Sequence, residues 1–164
     1  MRIRSLVVLL LMLLATSAKA QHLADLFRQI PDSITPYLSQ NNRLDFIDFM
    51  ESGMKAEVRN RLGGTSEMTA LTADSLSIRM SEALRVDMLL LTPLEPVDSC
   101  SQVVCVISTY GTDSLSLQSR VAYYTTRWAP LSTIPRLSPA DARRVQALEM
   151  QTIFKRDEEI LKKN

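Results

Sequence analysis

The 164-residue chain contains a single histidine, His22. Histidine is the side chain most often used as a general acid or base near neutral pH, and it takes part in most catalytic triads and many zinc sites. One histidine near the start of a chain is poorly placed for any of these roles, because terminal residues are seldom held firmly. We therefore expect no histidine-based catalysis, no bound metal and no cofactor.

Cysteine is scarce as well, with Cys100 and Cys105 the two in the chain. Export would permit a disulfide. Residues five apart on one strand point to opposite faces and cannot bond, whereas a loop after Pro96 could bring Cys100 back towards Cys105. A possible disulfide between the two cysteines and a buried free thiol at Cys105 both remain open.

Basic residues are not in surplus. The first twenty residues hold three of the 19 basic residues and no acid, which leaves 16 basic and 18 acidic residues and a net charge near −2. Nucleic-acid binding usually requires a basic surface, so we expect no nucleic-acid partner.

The Gly63-Gly64 pair follows a predicted helix and lacks the lysine of a phosphate-binding loop, so we interpret it as a helix stop.

The most apolar stretch is N-terminal. Two arginines precede an apolar run over residues 6–15, and Ala18-Lys19-Ala20 has the small-x-small pattern of a cleavage site. This run is too short for a comfortable membrane span. We expect residues 1–20 to be a signal peptide and residues 21–164 to be one exported domain, periplasmic or secreted, with no integral membrane span after cleavage.

Residues 41–64 carry the clearest helical pattern. Asn42 is the predicted N-cap, and Gly63 and Gly64 are the predicted stop, while Gly53 is an unfavourable interior residue. Apolar residues recur at spacings of three and four, which predicts one buried stripe: Leu44, Ile47, Met50, Met54, Val58 and Leu62.

Beyond Gly64 the apolar period changes from 3.6 to 2, which predicts strands. Residues 76–80 and 84–90 alternate, either as two strands joined by a turn at 81–83 or as one long strand. Residues 103–107 are apolar on both faces and predict a covered central strand. Residues 117–128 predict a long strand, with Val121 and Tyr123 on one face and Ala122, Tyr124 and Trp128 on the other.

A short helix over residues 22–30 precedes these elements, and Ser138-Pro139 predicts the start of a late helix. Residues 148–164 fit either a helix or a hairpin. Helices followed by a run of strands predict an α+β domain. We expect N-terminal helices packed on one face of an antiparallel sheet of about five strands, followed by a C-terminal helix or hairpin.

Two groups of side chains are candidate sites. Aromatic residues on or near the predicted strands could line a ligand groove, although strand aromatics are more often core residues: Tyr110, Tyr123, Tyr124 and Trp128. Asp45, Asp48 and Glu51 are spaced by three on the predicted helix. Paired carboxylates can serve a hydrolase, whereas a solvated helix face is the more common explanation.

Three blocks resemble a known family: NNRLDFIDFM with LGG and SEMTALT, then VVCVISTYGTDS, then VAYYTTRWAPL. They are similar to the exported Bacteroidales proteins grouped as domain of unknown function 3256. The resemblance covers residues 26–131 and implies an exported single-domain protein of a Gram-negative bacterium, with no catalytic residue, cofactor or substrate assigned.

These observations favour a non-catalytic binding or interaction module of the bacterial envelope. Its partner would be an envelope protein, a peptide or a glycan. The alternatives are a carboxylate-dependent hydrolase that uses the acids of the 42–62 helix, and a structural assembly component that recruits a strand at an exposed sheet edge.

Overall fold

The computed structural model describes residues 22–112 and 117–149. Two helices come first, α1 (Leu23–Arg28) and α2 (Gln40–Glu51), and a third, α3, covers residues 139–149. The strands are β1 (Ala56–Arg59), β2 (Thr65–Leu71), β3 (Ser75–Ser81), β4 (Leu84–Leu91), β5 (Val103–Tyr110) and β6 (Gln118–Thr125).

Each strand pairs antiparallel with the next in the chain, so the sheet order is β1-β2-β3-β4-β5-β6. The predicted α+β fold is confirmed, with six strands in the described residues instead of about five. No helix in the described ranges is long and apolar enough to cross a bilayer.

The two faces of the sheet are covered by different helices. On the front face, α1 and α2 pack over alternate residues of the strands, among them Leu76, Ile78, Val86 and Met88. On the back face, Val145 of α3 packs over a second cluster that includes Leu89, Val103, Cys105 and Ile107. The alternation of β4, β5 and β6 thus supplies side chains to the two clusters in turn, whereas β1, β2 and β3 contribute to the front cluster alone.

Helix α2 begins earlier than predicted, because Ser39 and not Asn42 is its N-cap. The Ser39 Oγ accepts from the Asn42 backbone N–H at 3.1 Å, and the Asn42 Oδ1 accepts from the Ser39 N–H at 3.0 Å. This reciprocal pair satisfies two backbone donors at the helix start. Phe46 and Ile47 are buried on its inner side.

Helix α2 also ends earlier, so the prediction of one helix through Gly64 is wrong. Gly53 has a φ of +67°, and its N–H donates to Met50 O at 3.2 Å while the Met54 N–H donates to Phe49 O at 2.9 Å. These two bonds form a Schellman motif, in which glycine adopts the left-handed conformation with no Cβ clash. Gly53 is therefore the helix stop.

The residues after Gly53 form a strand because burial now alternates every second residue. Ala56 and Val58 are buried, whereas Glu57 and Arg59 are exposed. Val58 follows Met54 by four positions, a spacing that is typical of a helix, and this led to the incorrect prediction. The predicted stripe is accordingly wrong at three positions, which are exposed: Leu44, Met54 and Leu62.

Gly63 and Gly64 belong to the turn between β1 and β2. The buried Asn60 organises this turn, since its Oδ1 accepts from the N–H groups of Leu62 at 3.0 Å and Gly64 at 3.2 Å. Its Nδ2 donates to Ser66 Oγ at 3.0 Å and Met80 O at 3.2 Å. Strand β2 was missed because its polar residues include the buried Ser66, which hides the alternation.

The later predictions hold better. Strands β3 and β4 are separate, so the interpretation as one long strand is wrong, and β5 is buried over residues 103–107. The opposite faces predicted for Tyr123 and Tyr124 are confirmed. The predicted extent of the strand, residues 117–128, is wrong at its end, because β6 ends at Thr125 and Trp128 follows it with a φ of +63°. Ser138 caps α3 by accepting from the Asp141 N–H at 3.1 Å. The question of helix or hairpin is answered as helix for residues 148–149 and lies outside the described residues for 150–164.

Candidate ligand-binding groove

A groove lies on the front face where the helices leave the sheet uncovered. Helix α2 packs against β1 and β2. Over β4, β5 and β6 the facing segment is instead the connection between α1 and α2, residues 33–37. The space between that connection and the sheet is a cavity of about 370 Å³. This volume falls within the range of small-molecule pockets.

Residues 33–37, which we call the wall, are anchored at both ends. The N–H groups of Ile34 and Thr35 donate to Pro31 O at 3.0 and 3.3 Å, and the Arg61 N–H donates to Tyr37 O at 2.9 Å. The wall is therefore held by Pro31 on its N-terminal side and by the β1–β2 turn on its C-terminal side.

An ion-pair cluster supports the base of the wall. Arg43 Nη1 and Arg61 Nη2 lie 2.8 and 2.7 Å from the two carboxylate oxygens of Asp32. The hydrogen bonds from Arg43 and then Arg61 hold the pKa of Asp32 below its ordinary value. The buried guanidinium of Arg43 also donates to Leu38 O at 3.1 Å, so it ties the wall to α2.

The floor of the groove is mainly apolar. Val86, Val106 and Ala122 come from three neighbouring strands and face the wall residues Ile34 and Pro36. Aromatic rings stand around this floor: Tyr37 from the wall, Tyr110 from the end of β5 and Tyr124 from β6.

Trp128 supports Tyr124 from within the core. The ring centroids are 5.9 Å apart with an interplanar angle of 56°, a tilted arrangement that aromatic pairs favour. Trp128 is buried, and its Nε1–H donates to Leu26 O at 3.1 Å. The ring of Tyr124 is thus held between the groove and the core.

The structure splits the four aromatic residues that were predicted to form one groove. Tyr110 and Tyr124 line it, and Trp128 lies behind Tyr124. Tyr123 is on the back face, where it packs beside Cys105. Tyr37 was missed, because no local pattern shows that the α1–α2 connection crosses over the distant strands β5 and β6.

Half of the fourteen described residues that line the groove carry a hydroxyl or a guanidinium group: Ser33, Thr35, Tyr37, Ser108, Tyr110, Arg120 and Tyr124. Among the described residues that line it there is one charged side chain, Arg120, and no aspartate, glutamate, histidine or cysteine. Arg120 is exposed and forms no ion pair within the described ranges. Ser108 contributes a hydroxyl beside it.

Thr35 is the buried hydroxyl of the wall. The residue is 2 % exposed, and its Oγ1 has no hydrogen-bond partner among the residues that the structure describes. An unsatisfied buried hydroxyl costs about 1–3 kcal/mol.

Cys105 is not placed for nucleophilic chemistry. Both are free thiols, so the possible disulfide between Cys100 and Cys105 is not formed in this structure. Burial raises the pKa of Cys105 to about 12, although a hydrogen bond with Tyr123 acts in the opposite direction. The thiol is therefore protonated at neutral pH and is not a reactive thiolate.

The three helix carboxylates do not meet in a cleft. Asp45, Asp48 and Glu51 are all exposed, and none lines the groove. Glu51 instead forms an ion pair with Arg28, in which Glu51 Oε1 lies 3.2 Å from Arg28 Nη2. No group of three or more potential metal ligands occurs in the described part of the chain.

A second cavity, of about 330 Å³, lies over the polar half of the back face. Its buried acid, Asp87, accepts from Arg85 Nε at 3.1 Å and Nη2 at 2.8 Å, and also from the Ser77 hydroxyl. This buried charge is compensated within the sheet, which accounts for its place there without a ligand. The alternation of residues 84–90 did not indicate this pair.

Comparisons with known proteins address the family only. A domain of an uncharacterized protein from Porphyromonas gingivalis W83 has a similar structure, with a TM-score of 0.52 and 28% sequence identity. The match covers 68% of this chain, which spans 54% of the length of that relative. No curated protein matches. The sequence pattern of one family matches residues 15–155, so this chain belongs to the family described as Protein of unknown function (DUF3256).

Proposed function

We propose that this protein is an exported, non-catalytic binding module of the bacterial envelope, periplasmic or secreted, and that its ligand lies in the front-face groove. The observation that carries the proposal is the groove itself, a cavity of about 370 Å³ with an apolar floor and aromatic sides. Concave sites of this size that combine apolar residues with placed polar groups are typical of ligand pockets. The export pattern of residues 1–20 supports the location.

The composition of the groove favours binding over catalysis. Hydroxyl groups of Ser108, Tyr110 and Tyr124 are present, but the described lining contains no histidine or carboxylate that could take a proton from them. A hydroxyl nucleophile needs an adjacent base to become reactive. The groove residues therefore supply apolar contact and orientation.

The chain contains a fluorescent residue that can report on ligand binding in the groove. Trp128 is the single tryptophan, and it contacts Tyr124 of the groove. We would titrate the mature protein with the neutral, environment-sensitive dye Nile red, and follow both dye emission and Trp128 emission. Saturable binding that changes both signals is expected.

A matched pair of variants identifies the site. Tyr110 and Leu62 are both exposed apolar side chains, but Tyr110 lines the groove and Leu62 lies in the β1–β2 turn. Tyr110→Ala should weaken dye binding about tenfold, as expected when an aromatic contact is lost, and Leu62→Ala should leave it unchanged. Equal effects of the two variants, or reproducible turnover in a screen of esters, glycosides, peptides and phosphoesters, would contradict the proposal.

A further inference from the structure

We infer that the groove selects a small ligand with an apolar body and a single carboxylate, and that Arg120 meets the carboxylate. This inference rests on the proposed function and names the class of ligand. Arg120 and the neighbouring Ser108 are the groups that distinguish this class from any other apolar molecule of similar size.

The register of the sheet orders the floor from apolar to polar. Val86 of β4 pairs with Ser108 of β5, which pairs with Arg120 of β6. Residues that are direct cross-strand partners share a face and lie about 4.5–5.5 Å apart. A single row across the front face therefore runs from a buried aliphatic residue through a hydroxyl to a guanidinium.

The next row of the same face is apolar throughout. It consists of Met88, Val106 and Ala122, which are consecutive partners on β4, β5 and β6. A ligand whose apolar body covers Val106 and Ala122 has its end beside Ser108 and Arg120. The two rows thus place an apolar site and a cationic site next to each other, two positions apart along each strand.

The charge of the groove calls for an anion. Arg120 has no ion-pair partner among the described residues, and the described lining contains no acid. A guanidinium presents parallel N–H donors that match both oxygens of a carboxylate. The hydroxyl of Ser108 adds a donor on the adjacent strand. A cationic ligand would be repelled, and a neutral ligand would leave the guanidinium unused.

The size of the groove favours a small acid over a macromolecule. The wall residues Ile34 and Pro36 stand opposite the floor, so the cavity of about 370 Å³ is bounded on two sides. Arg120 also borders a third cavity, of about 470 Å³ at the β6 edge, which Glu149 lines as well, and the side chain of Arg120 is exposed to solvent. An acid can therefore enter with its carboxylate towards β6 and its apolar body towards the wall.

Three probes of equal length test the inference with the mature protein: decanoate, decanamide and decylamine. Binding is followed by Trp128 fluorescence and, independently of that reporter, by titration calorimetry. Decanoate should bind at least about tenfold more tightly than decanamide, the ratio that corresponds to 1.4 kcal/mol. Decylamine should bind more weakly than the amide.

Two arginine variants separate charge recognition from apolar binding. Arg120→Gln should reduce decanoate binding to the level of decanamide while amide binding stays unchanged. Arg127→Gln is the matched control, because Arg127 is also exposed and follows the same strand but does not line the groove. It should leave the preference for the acid intact.

The outcomes distinguish the two proposals. Equal binding of decanoate and decanamide to the unaltered protein overturns the carboxylate inference and leaves the proposed function standing. Absence of binding for all three probes, together with no binding of Nile red, overturns both. Tighter binding of a tripeptide with a free C-terminal carboxylate than of decanoate overturns the assignment to a small acid.

Discussion

The indole N–H of Trp128 donates a hydrogen bond to the backbone carbonyl of Leu26 at 3.1 Å, across 102 positions of the chain. Leu26 lies in the first helix, and Trp128 follows the last strand of the sheet. The contact therefore joins the two ends of the front-face core. It also positions Trp128 behind Tyr124, so that the integrity of the core and the shape of the groove depend on the same side chain.

Trp128→Phe should lower the free energy of unfolding by at least about 1 kcal/mol, because the hydrogen bond to Leu26 is lost while most of the aromatic volume is kept. The carbonyl of Leu26 retains its bond from the Gln29 N–H at 3.0 Å, which limits the cost. Urea unfolding followed by circular dichroism is suitable, since the variant has no tryptophan emission. A cost near zero would show that the hydrogen bond contributes nothing to stability.

The two sides of α2 should respond differently to truncation. Ile47→Ala should cost about 2–5 kcal/mol because the side chain is fully buried in the front-face cluster. Asp48→Ala should cost less than about 1 kcal/mol because Asp48 is exposed. Comparison of their urea midpoints tests the assignment, and an equally damaging Asp48→Ala would mean that the helix faces are misassigned.

Gly53→Ala distinguishes the observed helix end from the continuous helix that the sequence indicated. In a helix interior the change would stabilise the protein by about 1 kcal/mol. At a φ of +67° with no atom within 4 Å of the added Cβ, it should instead destabilise by about 1 kcal/mol through backbone conformation alone. The sign of the shift in thermal midpoint is therefore the result that decides between them.

Thr35→Val should stabilise the ligand-free protein by about 1 kcal/mol, because it removes a buried hydroxyl that lacks a partner among the described residues. The matched control is Thr69→Val, at an exposed position on β2 where the hydroxyl donates to Ser77 O at 3.3 Å. Thermal unfolding of both variants provides the comparison. A loss of stability in Thr35→Val would show that the hydroxyl is satisfied in solution.

Cys105 should be unreactive towards a thiol reagent at about pH 8, where its pKa of about 12 keeps it protonated, whereas the less buried Cys100 should react. The folded state holds the proton more tightly than the unfolded chain, whose thiol has a pKa of 9.0. The stabilisation that comes from keeping Cys105 protonated is therefore complete below pH 9.0, and it is lost as the pH rises towards about 12.

Urea unfolding across this alkaline range tests the linkage. Cys105→Val should flatten the decline in stability between pH 9.0 and the onset of tyrosine ionisation. Tyr123 adds its own decline at higher pH, because burial raises its pKa from 10.0 to about 12. An unchanged slope in the variant would contradict the assignment of the first part of the decline to Cys105.

Periodicity predicted the elements whose burial follows one simple rule. Strand β3 alternates throughout, the sequence of β4 alternates over residues 84–88, and residues 103–107 are apolar throughout, so the type of these strands could be predicted. Apolar periodicity failed as a predictor between Gly53 and Gly64. There the spacing of Met54 and Val58 suits a helix, whereas the alternation of Ala56 and Val58 suits a strand. Tertiary pairing decides such a case, because β1 gains its hydrogen bonds only from β2.

The candidate site could be predicted only in part, for a similar reason. Tyr110 and Tyr124 stood out as strand aromatics, and the alternation placed Tyr123 and Tyr124 on opposite faces. The sequence could not show that Tyr37 would line the same groove as Tyr124, nor that Arg120 would lie opposite Ser108 in a groove whose described lining contains no acid. These relations join residues far apart in the chain.

The sequence by itself determined the class of the fold, through the local period of its apolar residues, and the family, through the residues that match it over 15–155. The tertiary structure alone decided where α2 ends, which strands lie at the edges and where the sheet is left uncovered. Backbone pairing and burial couple distant segments, as Trp128 and Leu26 show, and no local pattern records that coupling.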